Sequence, residues 1–170
     1  KHTFTGSFVA YNHETGEFMN HILDLRGLLH RSDVRALLAE SLYRPGKDRL
    51  DRWIGQLADD VDVYTYGFLE KDVLVGVLAA RRSWLSEKTI EMEILAISVD
   101  PPYRGQGIGR ELLQALIRDH DPLRIVAETD VDAIAFYRRC GFSIRSLGEK
   151  YPGVVRYRCE WQRPDPLVLH

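Results

Sequence analysis

The chain has 170 residues, 45% of them hydrophobic and 28% charged, with a formal net charge of -2. Those values describe one soluble globular domain with a single substantial core, and they exclude a global attraction to nucleic acid or to an anionic membrane. The longest apolar run, Val73 to Ala80, falls far short of the ~20 residues that a bilayer demands, so no membrane span is expected.

Lys1 to Phe18 carry no readable chemistry. They form either a hairpin around the polar turn Asn12 to Gly16 or an extension derived from cloning, with Met19 as the native start. The domain is therefore taken as residues 19–163, with 164–170 as a C-terminal tail. His21 to Arg26 alternates as a strand, Leu23 and Leu25 on one face, Ile22 and Asp24 on the other. Ser32 or Asp33 then caps a helix whose buried stripe is Val34, Leu37, Leu38 and Leu42, closed by Pro45 and Gly46. Leu50, Trp53, Ile54 and Leu57 repeat the helical spacing and pair a second helix with the first. Asp59, Asp60 and Asp62 read as a solvated loop, with attraction of a cationic amine as the alternative.

Val63 to Leu69 and Val73 to Arg81 are two strands joined by Glu70-Lys71-Asp72, a turn short enough to make them antiparallel neighbours. In the connection that follows, Trp84 either lines a substrate mouth or packs on the sheet. Ile94 to Val99 is a core strand stopped by Asp100-Pro101-Pro102, because proline cannot continue a ladder. Ile108, Leu112, Leu113, Leu116 and Ile117 then mark one face of a helix. Between that strand and that helix lies Arg104-Gly105-Gln106-Gly107-Ile108-Gly109, whose alternate glycines strip side chains from a turn beside a helix N-terminus. Its outward amide groups make an anion cradle. A Walker A loop would need Gly-Lys-Ser/Thr, and a dinucleotide fingerprint would need glycine at Arg110. What remains is Arg/Gln-x-x-Gly-x-Gly, met by Arg104, Gly107 and Gly109.

Leu123 to Glu128 is a buried strand, so strand, helix and strand form a parallel unit with a right-handed crossover. Asp130 to Phe142 has an aspartate cap, the stripe Ala133, Phe136, Tyr137 and Cys140, a left-handed stop at Gly141, and Phe142 folding back on the last turn. Strands near Phe142 to Ser146 and Val154 to Trp161 finish the sheet as a hairpin. Cys140 and Cys159 have neither metal spacing nor the density of a secreted scaffold, which points to a reduced cytoplasm. The six histidines are scattered without a metal-binding pair, so no metal site is expected.

The glycine loop with its preceding strand, and the helix ending Phe136-Tyr137-x-x-x-Gly141-Phe142, resemble the GNAT superfamily of N-acyltransferases over about Met19 to Arg163. The resemblance implies a mixed α/β fold: a mostly antiparallel, twisted sheet of six to seven strands with a central parallel β-α-β unit and flanking helices. It implies acetyl-CoA as co-substrate, its pyrophosphate held by Arg104, Gly105, Gln106, Gly107, Ile108 and Gly109, with further contacts at Ile97 and Val99. It also implies direct attack of a primary amine on the thioester, the acceptor being a small molecule or a peptide and the protein a monomer or homodimer. By the same resemblance Glu93 is the general base, with Glu91 acting through a water as the alternative. The Ile97 main-chain amide meets the oxyanion and Tyr137 protonates the departing thiolate. Each role has a plainer counterpart: Glu93 as a solvent group paired with Arg81 or Arg82, and Tyr137 as a core residue on an apolar stripe. Asp130 takes no cofactor role, because the family asparagine at that place is an amide donor. A non-catalytic acyl-CoA-binding module is the alternative for the whole chain.

Overall fold

The computed structural model describes residues 21–42 and 45–165; the possible N-terminal hairpin, Met19 and the end of the tail lie outside the described residues. The elements run β1 (His21–Asp24), α1 (Ser32–Ala39), α2 (Lys47–Asp59), β2 (Val63–Glu70), β3 (Val73–Trp84), β4 (Ile90–Val99), α3 (Ile108–His120), β5 (Arg124–Thr129), α4 (Ile134–Arg139), β6 (Ser143–Tyr151) and β7 (Val154–Gln162). The strands form one seven-stranded sheet in the order β1-β2-β3-β4-β5-β7-β6. β4 and β5 are parallel, joined through α3, while β1/β2, β5/β7 and β6/β7 are antiparallel. The mixed sheet and its single β-α-β crossover are therefore as the sequence implied. The final hairpin turns back so that β7, not β6, lies beside β5.

The chain divides into two compact units, one of residues up to Ala80 with Ala96–Leu116, the other of Arg81–Leu95 with the residues from Ile117. In the first unit, α1 buries Val34, Leu37 and Leu38, and α2 buries Ile54 and Leu57, the stripes set by the helical period. α1 differs from expectation at both ends. Its N-cap position is Arg31, with no side-chain cap, and neither Ser32 nor Asp33 fills that role. Asp33 sits inside the first turn, where its carboxylate accepts from the Val34 N–H at 2.9 Å and from the Arg31 guanidinium at 2.8 Å. An acid in the first turn complements the helix dipole without capping it. The helix then stops at Ala39, so Leu42 and Pro45 lie beyond it.

The β2–β3 turn tightens to Lys71 and Asp72, both left-handed at φ 47 and 68, the geometry that matches the twist of a two-residue hairpin. On β3, a Cβ at Gly76 would lie 2.9 Å from Ile108 Cγ2 and 3.3 Å from Leu112 Cδ1. Glycine there lets the start of α3 rest directly against the strand, and the Asp100 N–H donating to the Val75 carbonyl at 2.8 Å fixes the chain as it leaves β4.

In the second unit, β4 begins at Ile90 rather than Ile94, with Ile90 and Met92 buried and Glu91 and Glu93 on the other face. Met92, Ile125 and Cys159 are fully buried, joined by Tyr137 and Phe142. α4 is short, because Val131–Ala133 forms a 3-10 turn before it, and Asp130 caps that turn by accepting from the Asp132 N–H at 3.1 Å. In the β6–β7 hairpin β6 is largely exposed, Tyr151 included, while β7 is half-buried.

Candidate active site

The glycine loop is built by backbone conformation. Gly105 and Gly107 have φ +76 and +86, a region costly for residues that carry a Cβ, and a Cβ at either would enter open space. The glycines divide their work, since Gly109 is instead buried in the first turn of α3. The Gly107 carbonyl accepts from the Glu111 N–H at 3.0 Å, so Gly107 stands at the helix entrance. The N–H groups of a first helical turn have no intrahelical acceptor, and here no side chain caps them from Gly107. An exposed, positively polarised helix entrance of this kind suits a pyrophosphate.

Arg104 is engaged within the protein. Its Nε donates to the Val99 carbonyl at 2.8 Å and its terminal nitrogen lies 3.3 Å from Glu40, so the guanidinium ties the end of β4 to the end of α1. Gln106 reaches back to the Pro102 carbonyl at 3.4 Å. Ile97 and Val99, both half-buried, occupy alternate positions of β4 on the same face as Glu93.

The two carboxylates on β4 differ in engagement. Glu91, 16% exposed, is held by the Arg124 guanidinium in a close contact. Glu93, 49% exposed, has among the described residues Arg81 as its partner, at 3.6 Å. Glu93 is therefore the more exposed and less tightly engaged of the two carboxylates. The β4–β5 ladder pairs Glu91 to Ile94 with Arg124 to Ala127 and ends there, although β4 runs on to Val99 and β5 to Thr129.

Tyr137 is 3% exposed and is fixed by the way α4 ends. The Phe142 N–H donates to the Tyr137 carbonyl and the Gly141 N–H to the Arg138 carbonyl, both at 3.0 Å, with Gly141 at φ +86. That is a Schellman stop, and its customary apolar contact is the edge-on Tyr137–Phe142 ring pair at 5.1 Å. Phe136 makes a second edge-on contact at 5.1 Å. Burial pushes the Tyr137 phenol well above its ordinary range, with Cys159 and Cys140 adding to the shift and Arg156 opposing it. The hydroxyl therefore stays protonated at neutral and mildly alkaline pH.

Arg124 escaped the sequence reading. Its signal was a cation opening an otherwise apolar strand after a segment with two alternate glutamates, but the partner lies 33 residues away and only register reveals it. Among the described residues no His, Cys, Asp or Glu group has the makings of a metal site, and no helix is long and apolar enough to cross a membrane.

A model of the acetyltransferase (GNAT) family matches residues 30–142, which include both the glycine loop and the Tyr137 helix. The N-alpha-acetyltransferase RimI of Mycobacterium tuberculosis is 41% identical over 82 residues, 45% of this chain and 52% of that protein. N-alpha-acetyltransferase 30 of Schizosaccharomyces pombe is 31% identical over 100 residues, 55% of this chain and 63% of that one. Across the curated relatives the matched stretches span between 27% and 63% of their lengths. The fold is also that of Arabidopsis thaliana Naa50 in complex with the bisubstrate analogue CoA-Ac-MVNAL, at a TM-score of 0.63 and 21% identity over 84% of this chain and 97% of the other. With more than half of its residues matched by the family model, this chain belongs to the acetyltransferase (GNAT) family.

Proposed function

We propose that the chain transfers the acetyl group of acetyl-CoA to a primary amine, and that the amine is the free amino terminus of a peptide. The observation that carries the transfer is the cradle at Gly105 and Gly107, left-handed, open and placed at the start of α3. The peptide acceptor is supported by the curated relatives, two of which are named N-alpha-acetyltransferases.

In this reading the loop amides from Gly105 to Gly109 hold the pyrophosphate, and Arg104 holds the loop. Bound acetyl-CoA supplies the thioester. Glu93 takes a proton from the incoming ammonium, directly or through a water, because only the free amine has a lone pair to offer. As the C–N bond forms, negative charge moves onto the carbonyl oxygen and the Ile97 main-chain N–H donates to it. The nitrogen, cationic once the C–N bond has formed, gives its second proton to solvent as the C–S bond breaks, and Tyr137 gives its phenolic proton to the thiolate and regains one from solvent.

The test is thiol release measured with amino-terminal peptides and with small primary amines. Release that rises with peptide and saturates supports the reading; preference for small amines moves the acceptor, and release indifferent to any amine removes the transferase reading. Within the peptide reaction, Glu93→Gln should lower turnover mainly on the acidic side, where free amine is scarce. Glu91→Gln should leave the shape of the profile unchanged, since Arg124 already engages that carboxylate.

A further inference from the structure

The β4–β5 ladder is short, four residues on each strand, and its two ends are unlike. Beyond Ile94 and Ala127 the register ends while both strands continue. At the other end everything closes. The Leu123 N–H donates to the Ile90 carbonyl at 2.9 Å, and the Arg163 N–H donates to the Leu123 carbonyl at 2.9 Å. Arg124 stands in register with Glu91, so both side chains leave the same face. Its guanidinium contacts Glu91 through Nε and one terminal nitrogen, while the other terminal nitrogen lies 3.7 Å from Glu160 on β7. One cation thus spans three neighbouring strands.

We propose that Arg124 is a positioning residue: held between Glu91 and Glu160, it rivets the closed end of the β4–β5 ladder and so holds the register of the four paired residues that precede Ile97. Its catalytic consequence rests on the acetyl-transfer reading above, since the Ile97 N–H lies on β4 just past the last paired residue. Parallel pairing is weak per residue, so a ladder this short needs support from its side chains. Exposed ion pairs give little, but this one is sheltered: side-chain exposure is 16% for Glu91, 34% for Arg124 and 27% for Glu160. The planar fork of arginine matters too, because a lysine ammonium is a point charge that cannot reach two carboxylates in fixed directions.

The experiment compares wild type, Arg124→Gln and Arg124→Lys as full chains, by amide hydrogen exchange and by steady-state kinetics. In Arg124→Gln the amides of Met92 to Ile94 and Ile125 to Ala127 should exchange about tenfold faster while those of α2 do not change, marking a local opening. With a peptide acceptor, kcat should fall about tenfold at every pH with the acceptor KM little altered, because misplacement of an oxyanion donor affects the reacting state most. Arg124→Lys should recover only part of both. Glu91→Gln combined with Arg124→Gln should be no worse than the worse single variant, as expected for members of one device. Wild-type exchange in the ladder, unchanged kcat, or strictly additive losses would each overturn the proposal. Should Arg124→Gln not fold, Glu91→Gln and Glu160→Gln each remove one arm and are read in the same way. A wild-type chain without amine-dependent thiol release would sink the transfer reading and with it the catalytic role, while ladder exchange would still judge the rivet.

Discussion

At Gly107 the chain enters α3 and at Gly141 it leaves α4, each time through a left-handed glycine at φ +86. The consequences are opposite. Gly107 has no side chain with which to cap the helix it opens, so donors are left facing outward and a ligand can complete them. Gly141 closes a helix: its own N–H and that of Phe142 satisfy the carbonyls of Arg138 and Tyr137, and Phe142 covers the tyrosine ring. One residue type therefore builds an unfinished helix end at one place and a finished one at the other.

Four measurements break or sharpen this contrast. The largest effect is expected at the finished end. Tyr137→Phe keeps the ring pair and removes the hydroxyl, so kcat should fall about a hundredfold with the melting temperature nearly unchanged. If Tyr137 only packs, turnover survives and the cost is at most one hydrogen bond, ~1 kcal/mol of stability, read by denaturant unfolding. Next comes the unfinished end. Gly107→Asn retains a residue that tolerates the left-handed backbone while placing a side chain in the open space beside it. Acetyl-CoA affinity by calorimetry should drop at least about tenfold, or ~1.4 kcal/mol; unchanged affinity in the folded variant would remove the cradle.

A smaller loss is expected for Gly141→Ala. The new Cβ would make only an ordinary 3.8 Å contact with Trp161 Cδ1, so the penalty is the backbone conformation itself. A destabilisation of ~1–2 kcal/mol with acetyl-CoA affinity intact would show that this end is structural where Gly107 is not. The smallest effect is one of pH. Burial pushes the Cys159 thiol from its ordinary 9.0 up to about 11, against the opposing influence of Arg156. The unfolded chain therefore gives up that proton first, and the associated stability is present below pH 9.0 and lost as pH rises through about 11. Tyr137, also raised, acts in the same direction at still higher pH. Unfolding midpoints across that window should fall less steeply in Cys159→Ala than in wild type.

Much of the site was written locally. The alternate glycines after a strand ending in Asp100-Pro101-Pro102 required an open helix entrance, and Gly141 before Phe142 required a left-handed stop, because both depend on neighbours within a few residues. The apolar stripes of α1 and α2 were equally legible, since their period is a property of the helix itself. Other features were settled by distant partners. The sequence did not distinguish Glu91 from Glu93, since two carboxylates on one strand face look alike until register brings Arg124 to the first, while the second faces Arg81 at 3.6 Å. The start of β4 at Ile90 was legible but passed over, since Ile90, Met92 and Ile94 alternate with Glu91 and Glu93 as a half-buried strand does. The place of β7 beside β5 and the end of the β4–β5 ladder after Ile94 follow likewise from pairing between strands far apart in the chain, which only the folded sheet decides.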